Sequence, residues 1–321
     1  MATPRSQLIE LIERGALSGD NIRKALYVTD IAPDGDTWRR FIDQLFVRLG
    51  GLAIAFSVLF FVAANWNAMG RFAKFGMVEG LTALSILGYC LFGSRSTSGR
   101  VCLLAASILV GVLLALCGQV YQTGADPWQL FFTWGLLMFP WAILARYSAI
   151  LLLWVLLMNL SIVLYHREFG FTLWSSFGFQ TEMLWLIFLF NTLVLIGWEF
   201  LVRVRNSLNE CWAVRIVFAG CGFPMTWLVL DAVFGNGSFL TGMVWIVWIS
   251  LMYFTYRKKI QDLFMVAGIC LSAIVVIVSF AAGYLVDDGS AGGFLMLAFL
   301  VVALGAGTGY WLKRIQQEYL L

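Results

Sequence analysis

The densest polar cluster of the chain is the stretch Cys117-Gly118-Gln119-Val120-Tyr121-Gln122-Thr123-Gly124-Ala125-Asp126-Pro127-Trp128-Gln129-Leu130. It stands between two apolar runs, at about 101–121 and 128–145. A helix of about 20 apolar residues crosses the hydrocarbon core of a bilayer. The polar stretch is therefore predicted to join two membrane helices, and similar apolar runs recur along the rest of the chain.

The composition is that of a membrane protein. Of the 321 residues, 61% are hydrophobic and 12% are charged, and the mean hydropathy is +0.87. A soluble domain has about 45–50% apolar and about 25% charged residues. Because no soluble fold hides so much apolar surface, the chain is predicted to be a multi-pass protein surrounded by the lipid bilayer.

The sequence gives little support to metal, cofactor or nucleic-acid sites. One histidine, His166, and six scattered cysteines form no CxxC or HExxH pattern, so we expect no metal and no cofactor. No nucleophile elbow or phosphate loop is present, and we assign no catalytic residue. Basic residues lie at the ends of apolar runs, so we expect no nucleic-acid partner. We interpret His166 as a surface histidine in an outer loop.

The residues before the first apolar run are polar. Residues 1–44 are predicted to form a short cytoplasmic helix pair, because Gly15 and the turn that begins at Pro33 interrupt its apolar pattern. The segment is too long for the n-region of a signal peptide, so we expect the first apolar run to stay as an uncleaved anchor. The transmembrane bundle is expected over 45–313 and a cytoplasmic tail over 314–321.

The predicted fold class is all-α, a polytopic transmembrane helical bundle of about ten spans. Each span is an apolar run of about 20 residues. The expected spans are 45–65, 74–93, 101–121, 128–145, 147–165, 182–203, 211–234, 239–256, 262–285 and 291–312.

Lysine and arginine residues fall on alternate connections between these spans. With the amino terminus inside, the outer segments keep only Arg71, Lys74 and Arg167. Short cytoplasmic loops are rich in Lys and Arg. Both termini are therefore predicted to be cytoplasmic, in a bacterial inner membrane, and the polar stretch is predicted to face the extracytoplasmic side.

The polar side chains of the stretch are the first candidates for a ligand-binding site. Gln119 and Gln122 are three residues apart and Asp126 follows one turn later, so a continued helix would place all three on one face, beside Tyr121. Such groups are costly against lipid and must face protein or water. Alternatively, they close hydrogen bonds between helices, and Asp126 caps the fourth span.

The same stretch is similar to a pattern of a known protein family. Residues 118–131 resemble the pattern GQ-[IV]-YQTGAD-x-x-LF of bacterial membrane proteins with domain of unknown function 2157. Ala64-Asn65-Trp66, Lys74 and the amino-terminal helix pair match that family too. The resemblance covers about residues 1–165. It implies a membrane location and no particular activity, substrate or catalytic residue.

Further candidate ligand-binding residues lie near the same outer level. They are Asn65 and Trp66 at the end of the first span, Glu79 in the second and Asp231 in the seventh. An intramembrane carboxylate marks a functional site by default, although Glu79 could instead be protonated and bonded across a helix contact. We expect a polar cavity where these residues and the outer stretch converge.

Small residues, prolines and amides are expected to shape the bundle. Gly76 and Gly80 are predicted to allow a close helix approach, and the segment 220–224, Gly-Cys-Gly-Phe-Pro, to kink or unwind the seventh span. Asn159 and Asn191 are predicted to form hydrogen bonds between helices. Close contact in the last span is expected at Gly305, Gly307 and Gly309.

Three functions are consistent with these patterns. The first is binding or transport of a small or amphipathic molecule, such as a lipid or an envelope precursor, through an outward-facing polar pocket. The second is a non-catalytic subunit that assembles with another membrane protein or as a homo-oligomer. The third is an intramembrane enzyme that uses Glu79 or Asp126 as an acid or base. The expectation is that the chain is not an enzyme.

Overall fold

The computed structural model describes residues 11, 12, 14, 21, 25, 35–94, 96–144, 147–169, 179–205, 211–235, 239–285 and 291–320. Within these ranges the chain forms helices and their connections, and it forms no β-strand. The predicted amino-terminal helix pair lies largely outside them. The predicted limits 1–44, 45–313 and 314–321 therefore stay predictions.

Ten α-helices make up the described part of the chain, and each predicted span falls on one of them. A π-helical turn, Thr255–Lys259, extends the eighth helix. The helices are α1 Gly35–Asn65, α2 Arg71–Phe92, α3 Thr97–Tyr121, α4 Pro127–Leu144, α5 Ser148–Phe169, α6 Phe179–Arg205, α7 Cys211–Val233, α8 Phe239–Phe254, α9 Leu263–Leu285 and α10 Ala291–Leu320.

Eight of these helices are long and apolar enough to cross a membrane. The predicted helical membrane bundle is thereby confirmed. The two helices outside this set are α1 and α4. Helix α4 has 18 residues with Pro140 inside it, and at 1.5 Å per residue it is about 27 Å long, slightly less than the bilayer core of about 30 Å. Spans at α1 and α4 stay predictions.

The chain divides into two compact units. The first comprises Met1–Gly70 with Gln317–Leu321, and the second comprises Arg71–Gln316. The first unit contains α1, which at 31 residues is longer than a single crossing requires. The second unit contains α2 to α9, most of α10 and the three cavities described below.

Helix α7 is the centre of the second unit. It contacts α5, α6, α8 and α9, while α2 pairs with α3 and α4 with α5. The α7 residues Val217, Cys221, Met225 and Leu228 are at most 1% exposed. Lipid chains are as apolar as these side chains, so close packing rather than transfer from water holds the helices together.

Helices α3 and α4 approach each other at a glycine. A Cβ atom on Gly111 would overlap the indole ring of Trp134. The Trp134 Nε1 donates a hydrogen bond of 2.8 Å to the carbonyl oxygen of Ser107. The absence of a side chain at Gly111 therefore lets the indole lie flat on α3 and reach the backbone.

Other glycines do not make the contacts that the sequence suggested. A Cβ atom on Gly76 or Gly80 in α2 would meet no described residue within 4 Å. The expected close helix approach at these positions is therefore wrong for the described residues. The same is true of the α10 glycines Gly305, Gly307 and Gly309.

We expect Gly111→Ala to lower the stability of the protein by about 1–3 kcal/mol, because the new methyl group displaces Trp134 from its packed position. The measurement is thermal unfolding of the detergent-solubilised protein. Gly305→Ala is the matched control, since its methyl group would meet nothing within 4 Å. Equal midpoints for the two variants would contradict the packing role of Gly111.

Candidate functional site

The polar stretch between α3 and α4 is not one continuous helical face. Helix α3 ends at Tyr121, and Gln122 follows in the left-handed conformation with φ 46° and ψ 50°. Gly124 is also left-handed, with φ 64°. The chain therefore turns between Gln119 and Asp126, and the expected single stripe of Gln119, Gln122 and Asp126 is wrong.

The side chains of the stretch point outward from the described unit. Gln119, Tyr121 and Gln122 are exposed, and Asp126 is half-buried. The Asp126 carbonyl oxygen accepts a 3.0 Å hydrogen bond from the Gln129 N–H in the first turn of α4. In the described residues no hydrogen bond reaches the Asp126 carboxylate, so the alternative of side-chain capping is not observed.

Trp128 fixes the start of α4 against the end of α5. Its ring packs edge-on against that of Tyr165 at 5.0 Å and lies 6.1 Å from that of Phe169. The Ser161 hydroxyl donates a 3.3 Å hydrogen bond to the Trp128 carbonyl oxygen. The polar stretch thus ends in an aromatic cluster that ties α4 to α5.

The other predicted site residues lie on separate parts of the chain. Asn65 and Trp66 belong to the first unit, which is described by itself. Glu79 is exposed on α2. Asp231 is half-buried at the end of α7 and accepts a 3.4 Å hydrogen bond from the Thr181 hydroxyl on α6. The expected convergence of these residues on one outer cavity stays a prediction.

Two buried polar residues were missed by the sequence analysis. His166, interpreted as a surface residue, lies at the end of α5 and is 2% exposed, with Nδ1 at 3.2 Å from the Ile162 carbonyl oxygen. Glu182 in the first turn of α6 is 4% exposed. A polar residue at a predicted helix end is normally expected to face solvent. Nothing in the neighbouring sequence marks His166 or Glu182 as buried.

The largest of the three cavities lies between α5, α6 and α7, and we call it the central cavity. Its volume is about 710 Å³. Most of its wall is aliphatic, and its side-chain polar groups are the amides of Asn159 and Asn191. The apolar wall includes Leu152, Leu156, Leu184, Ile187, Val217 and Pro224.

The two amides bond to each other across the α5–α6 contact. Asn191 Nδ2 donates to Asn159 Oδ1 at 2.7 Å, and Asn159 Nδ2 donates to Asn191 Oδ1 at 3.2 Å. Each Nδ2 also donates at 2.8 Å to a backbone carbonyl of its own helix, that of Val155 or Ile187. The predicted hydrogen bonds between these helices are confirmed.

In the amide pair all N–H donors are engaged, whereas each side-chain oxygen can accept one more hydrogen bond. An amide nitrogen carries two N–H groups, and both groups of each asparagine are engaged. An amide oxygen can accept two hydrogen bonds, and each of these oxygens accepts one in the described structure. The pair therefore presents hydrogen-bond acceptors beside the central cavity.

Helix α7 closes the back of the amide pair with a glycine. A Cβ atom on Gly220 would lie 3.2 Å from Asn191 Oδ1. Helix α7 runs without interruption from Cys211 to Val233, with Pro224 inside it. Of the two expected alternatives, a kink or an unwinding, the unwinding is not found, and Gly220 makes room for the amide.

A second cavity of about 420 Å³ lies between α7 and α9, with Trp248 of α8 at its floor. Its hydroxyl groups belong to Thr226 and Ser272, whose oxygens are 2.7 Å apart. Trp245 Nε1 donates a 3.1 Å hydrogen bond to Ser272 Oγ. These bonds link α7, α8 and α9, and we call this cavity the α7–α9 groove.

Polar and charged residues near one end of α6, α7, α8 and α9 form two pairs. Arg215 binds Asp262 through Nε at 3.1 Å and Nη2 at 3.3 Å. The Tyr256 hydroxyl donates a 3.0 Å hydrogen bond to Glu199 Oε1, and both residues line a third cavity of about 260 Å³. None of the three cavities is lined by any of the eight predicted site residues.

The polar stretch and the helices on either side of it lie within the range matched by one protein-family model. The family model "Predicted membrane protein (DUF2157)" matches residues 10–151. The amino-terminal part of this chain is similar to the DUF2157 family. The matched range contains the polar stretch, as expected from the resemblance, and ends at the beginning of α5. The comparisons with curated proteins and with solved structures found no match.

The DUF2157 match and the cavities occupy different parts of the chain. The matched range ends before Asn159, Asn191 and α7, so the amide pair and both cavities that adjoin α7 lie mainly outside it. The similarity to this family of predicted membrane proteins agrees with the membrane location. The match gives no information on the chemistry of the central cavity, which depends on the residues that line it.

We expect Asn191→Leu to destabilise the protein by about 1–2 kcal/mol, because hydrogen bonds between membrane helices contribute about 0.6 kcal/mol and at most about 1.7 kcal/mol each. Chemical unfolding in detergent is the measurement. The double variant Asn159→Leu, Asn191→Leu should lose less than the sum of the two single losses.

Thr82→Val is the control for this cycle, because the Thr82 hydroxyl bonds to the Val78 carbonyl oxygen within its own helix. Additive losses in the double variant would show that the two amides do not act as a pair.

Proposed function

We propose that this multi-pass membrane protein binds, inside the bilayer, an amphipathic molecule that carries a hydrogen-bond donor. The observation that carries the proposal is the central cavity, where an aliphatic wall surrounds a pair of amide oxygens with free acceptor capacity. A hydroxyl or amide N–H on the ligand supplies the matching donor. Its apolar body occupies the rest of the cavity.

The size and polarity of the cavity support this class of ligand. Ligand sites have volumes of about 300–1,000 Å³ and are mostly apolar, with a few polar groups that orient the ligand. The central cavity, at about 710 Å³, fits this range. Because neither Asn159 nor Asn191 is charged, an ion would find little compensation there. A neutral or weakly polar head group is favoured.

Transport is the larger role that we propose for such a site. Helices α5, α6 and α7 are each long and apolar enough to cross the bilayer, and if they do so the cavity that they share would lie within the membrane. The outer stretch with Gln119, Gln122 and Asp126 would then receive the ligand on the extracytoplasmic side. The inner-membrane location and the cytoplasmic termini belong to the same proposal and are supported by the distribution of Lys and Arg.

One observation favours assembly with a partner as a second function. The α10 glycines Gly305, Gly307 and Gly309 and the α2 glycines Gly76 and Gly80 are open to their surroundings in the described structure. Small residues on an open helix face allow another membrane helix to approach closely. A partner helix or a second copy of the chain would bind through these faces.

The ligand proposal can be tested with a photoreactive long-chain alcohol and its methyl ether. The ether keeps the shape of the alcohol and lacks the O–H donor. We expect the alcohol to label α5, α6 or α7 several-fold more than the ether does, because the amide oxygens accept only from a donor. Peptide mass spectrometry after illumination of the protein in lipid nanodiscs locates the label.

Leu184→Trp fills the central cavity and should remove this labelling. Leu193→Trp is the matched control on the same helix, because Leu193 is exposed and lies outside the cavity wall. Equal labelling by alcohol and ether would contradict the proposal. If Gln122→Ala with Asp126→Ala abolishes the labelling and Leu184→Trp does not, the ligand site lies at the outer stretch.

The proposed orientation gives a separate prediction. In a background without native cysteines, Gln122→Cys should react with a membrane-impermeant maleimide added to intact spheroplasts. Lys259→Cys should react only after the membrane is opened, because the Lys-rich end of α8 is placed inside. Both positions are exposed. Labelling of Lys259→Cys in intact spheroplasts would overturn the orientation.

A further inference from the structure

The α7–α9 groove is a second and separate site on α7. It adjoins the central cavity around the helix, and Phe223 lines both. Its α7 wall runs from Phe218 to Leu230. At 1.5 Å per residue this is about 18 Å, a little more than half of the bilayer core of about 30 Å. The groove therefore has the length of one leaflet.

The wall of the groove suits a hydrocarbon chain. Its lining includes the small residues Ala219 and Gly222 on α7 and Gly268 on α9, together with Trp248 of α8. Its two hydroxyl groups, those of Thr226 and Ser272, are already bonded to each other. An acyl chain can therefore lie against these two hydroxyl groups without breaking their hydrogen bonds.

A cation stands at the end of the groove. Arg215 lies one turn before Phe218, and its guanidinium carbon is 5.3 Å from the ring centre of Phe264, which lines the groove. The Arg215 side chain is 39% exposed even though it pairs with Asp262. That pair uses Nε and Nη2, so the two N–H groups of Nη1 can donate to a further anion.

More cations than anions gather at this end of the bundle. The π-helical turn of α8 contributes Arg257, Lys258 and Lys259, and Asp262 follows shortly after it. Glu199 of α6 also lies here, bonded to the Tyr256 hydroxyl of the same turn, so with Arg215 there are four cations against two carboxylates. Basic pockets between membrane helices at a bilayer surface recognise anionic lipid head groups.

We infer that the α7–α9 groove binds one anionic phospholipid, with an acyl chain along Phe218 to Leu230 and the phosphate at Arg215. The charge at the groove end selects an anionic head group over a zwitterionic one. The length of the groove admits one chain of the adjacent leaflet. This site does not depend on the ligand proposed for the central cavity.

Native mass spectrometry of the full chain in detergent tests the inference, with phosphatidylglycerol and phosphatidylcholine of identical acyl chains as the probes. Phosphatidylglycerol should bind more tightly. The double variant Arg215→Gln, Asp262→Asn keeps the net charge and removes the guanidinium. It should weaken phosphatidylglycerol binding about fivefold, the equivalent of about 1 kcal/mol for one basic residue. Asp262→Asn alone should strengthen it, because Arg215 is then released from its partner.

Two matched controls accompany these variants. Lys313→Gln removes an exposed cation in the carboxy-terminal part of α10, outside the groove wall, and it should leave the affinity unchanged. Ala219→Trp blocks the groove and should abolish tight binding, whereas Ala303→Trp, at an exposed position on α10, should not. Leu184→Trp in the central cavity should have no effect on phosphatidylglycerol, which separates this site from the proposed ligand site.

Three results would overturn the inference. The first is equal affinity of the wild type for the two lipids. The second is full displacement of phosphatidylglycerol by soluble glycerol phosphate, which would show a phosphate site without an acyl groove. The third is a stable dimer that excludes lipid and that Ala219→Trp disrupts, which would assign the groove to a second copy of the chain.

Discussion

The constraint on which this structure depends is that polar groups in the bilayer core must bond inside the protein. Hydroxyl groups along the helices meet it locally, as in Ser107, whose Oγ donates to the Leu103 carbonyl oxygen at 2.8 Å. Where local bonds do not suffice, polar residues meet across helices. The Asn159–Asn191 pair joins α5 to α6, and Thr226 and Ser272 join α7 to α9.

Helix α7 separates two cavities, the central cavity and the α7–α9 groove. Its glycines face different neighbours, since Gly220 adjoins Asn191 on α6 and Gly222 adjoins Trp248 on α8. The glycine at 220 leaves room for the Asn191 amide, and space stays open on either side of α7. The result is an apolar cavity with amide acceptors on one face of α7 and an apolar groove that ends at a cation on the next.

The positions of the helices could be predicted because a membrane helix needs about 20 apolar residues, and the mean hydropathy over such a length depends little on any single residue. The hydrogen bond between Asn159 and Asn191 was also predictable, since isolated amides inside apolar spans must find a partner. The face of the outer stretch could not be predicted in this way. The prediction that Gln119, Gln122 and Asp126 share one face requires the helix to continue through all three residues. The helix instead ends at Tyr121, where Gln122 adopts the left-handed conformation. His166 was misplaced because burial at a helix end depends on neighbours distant in sequence.

By itself, the sequence determined that this protein is a helical membrane protein, where its helices lie and which of its residues are costly in lipid. These properties depend on the composition of short, continuous segments of the chain. Only the tertiary structure decided which glycines are contact sites, because Gly111, Gly220 and Gly76 look alike in sequence and differ only in what stands opposite them. It also decided where space remains between the helices. Cavities arise from the mismatch of packed surfaces, and no single segment encodes that mismatch.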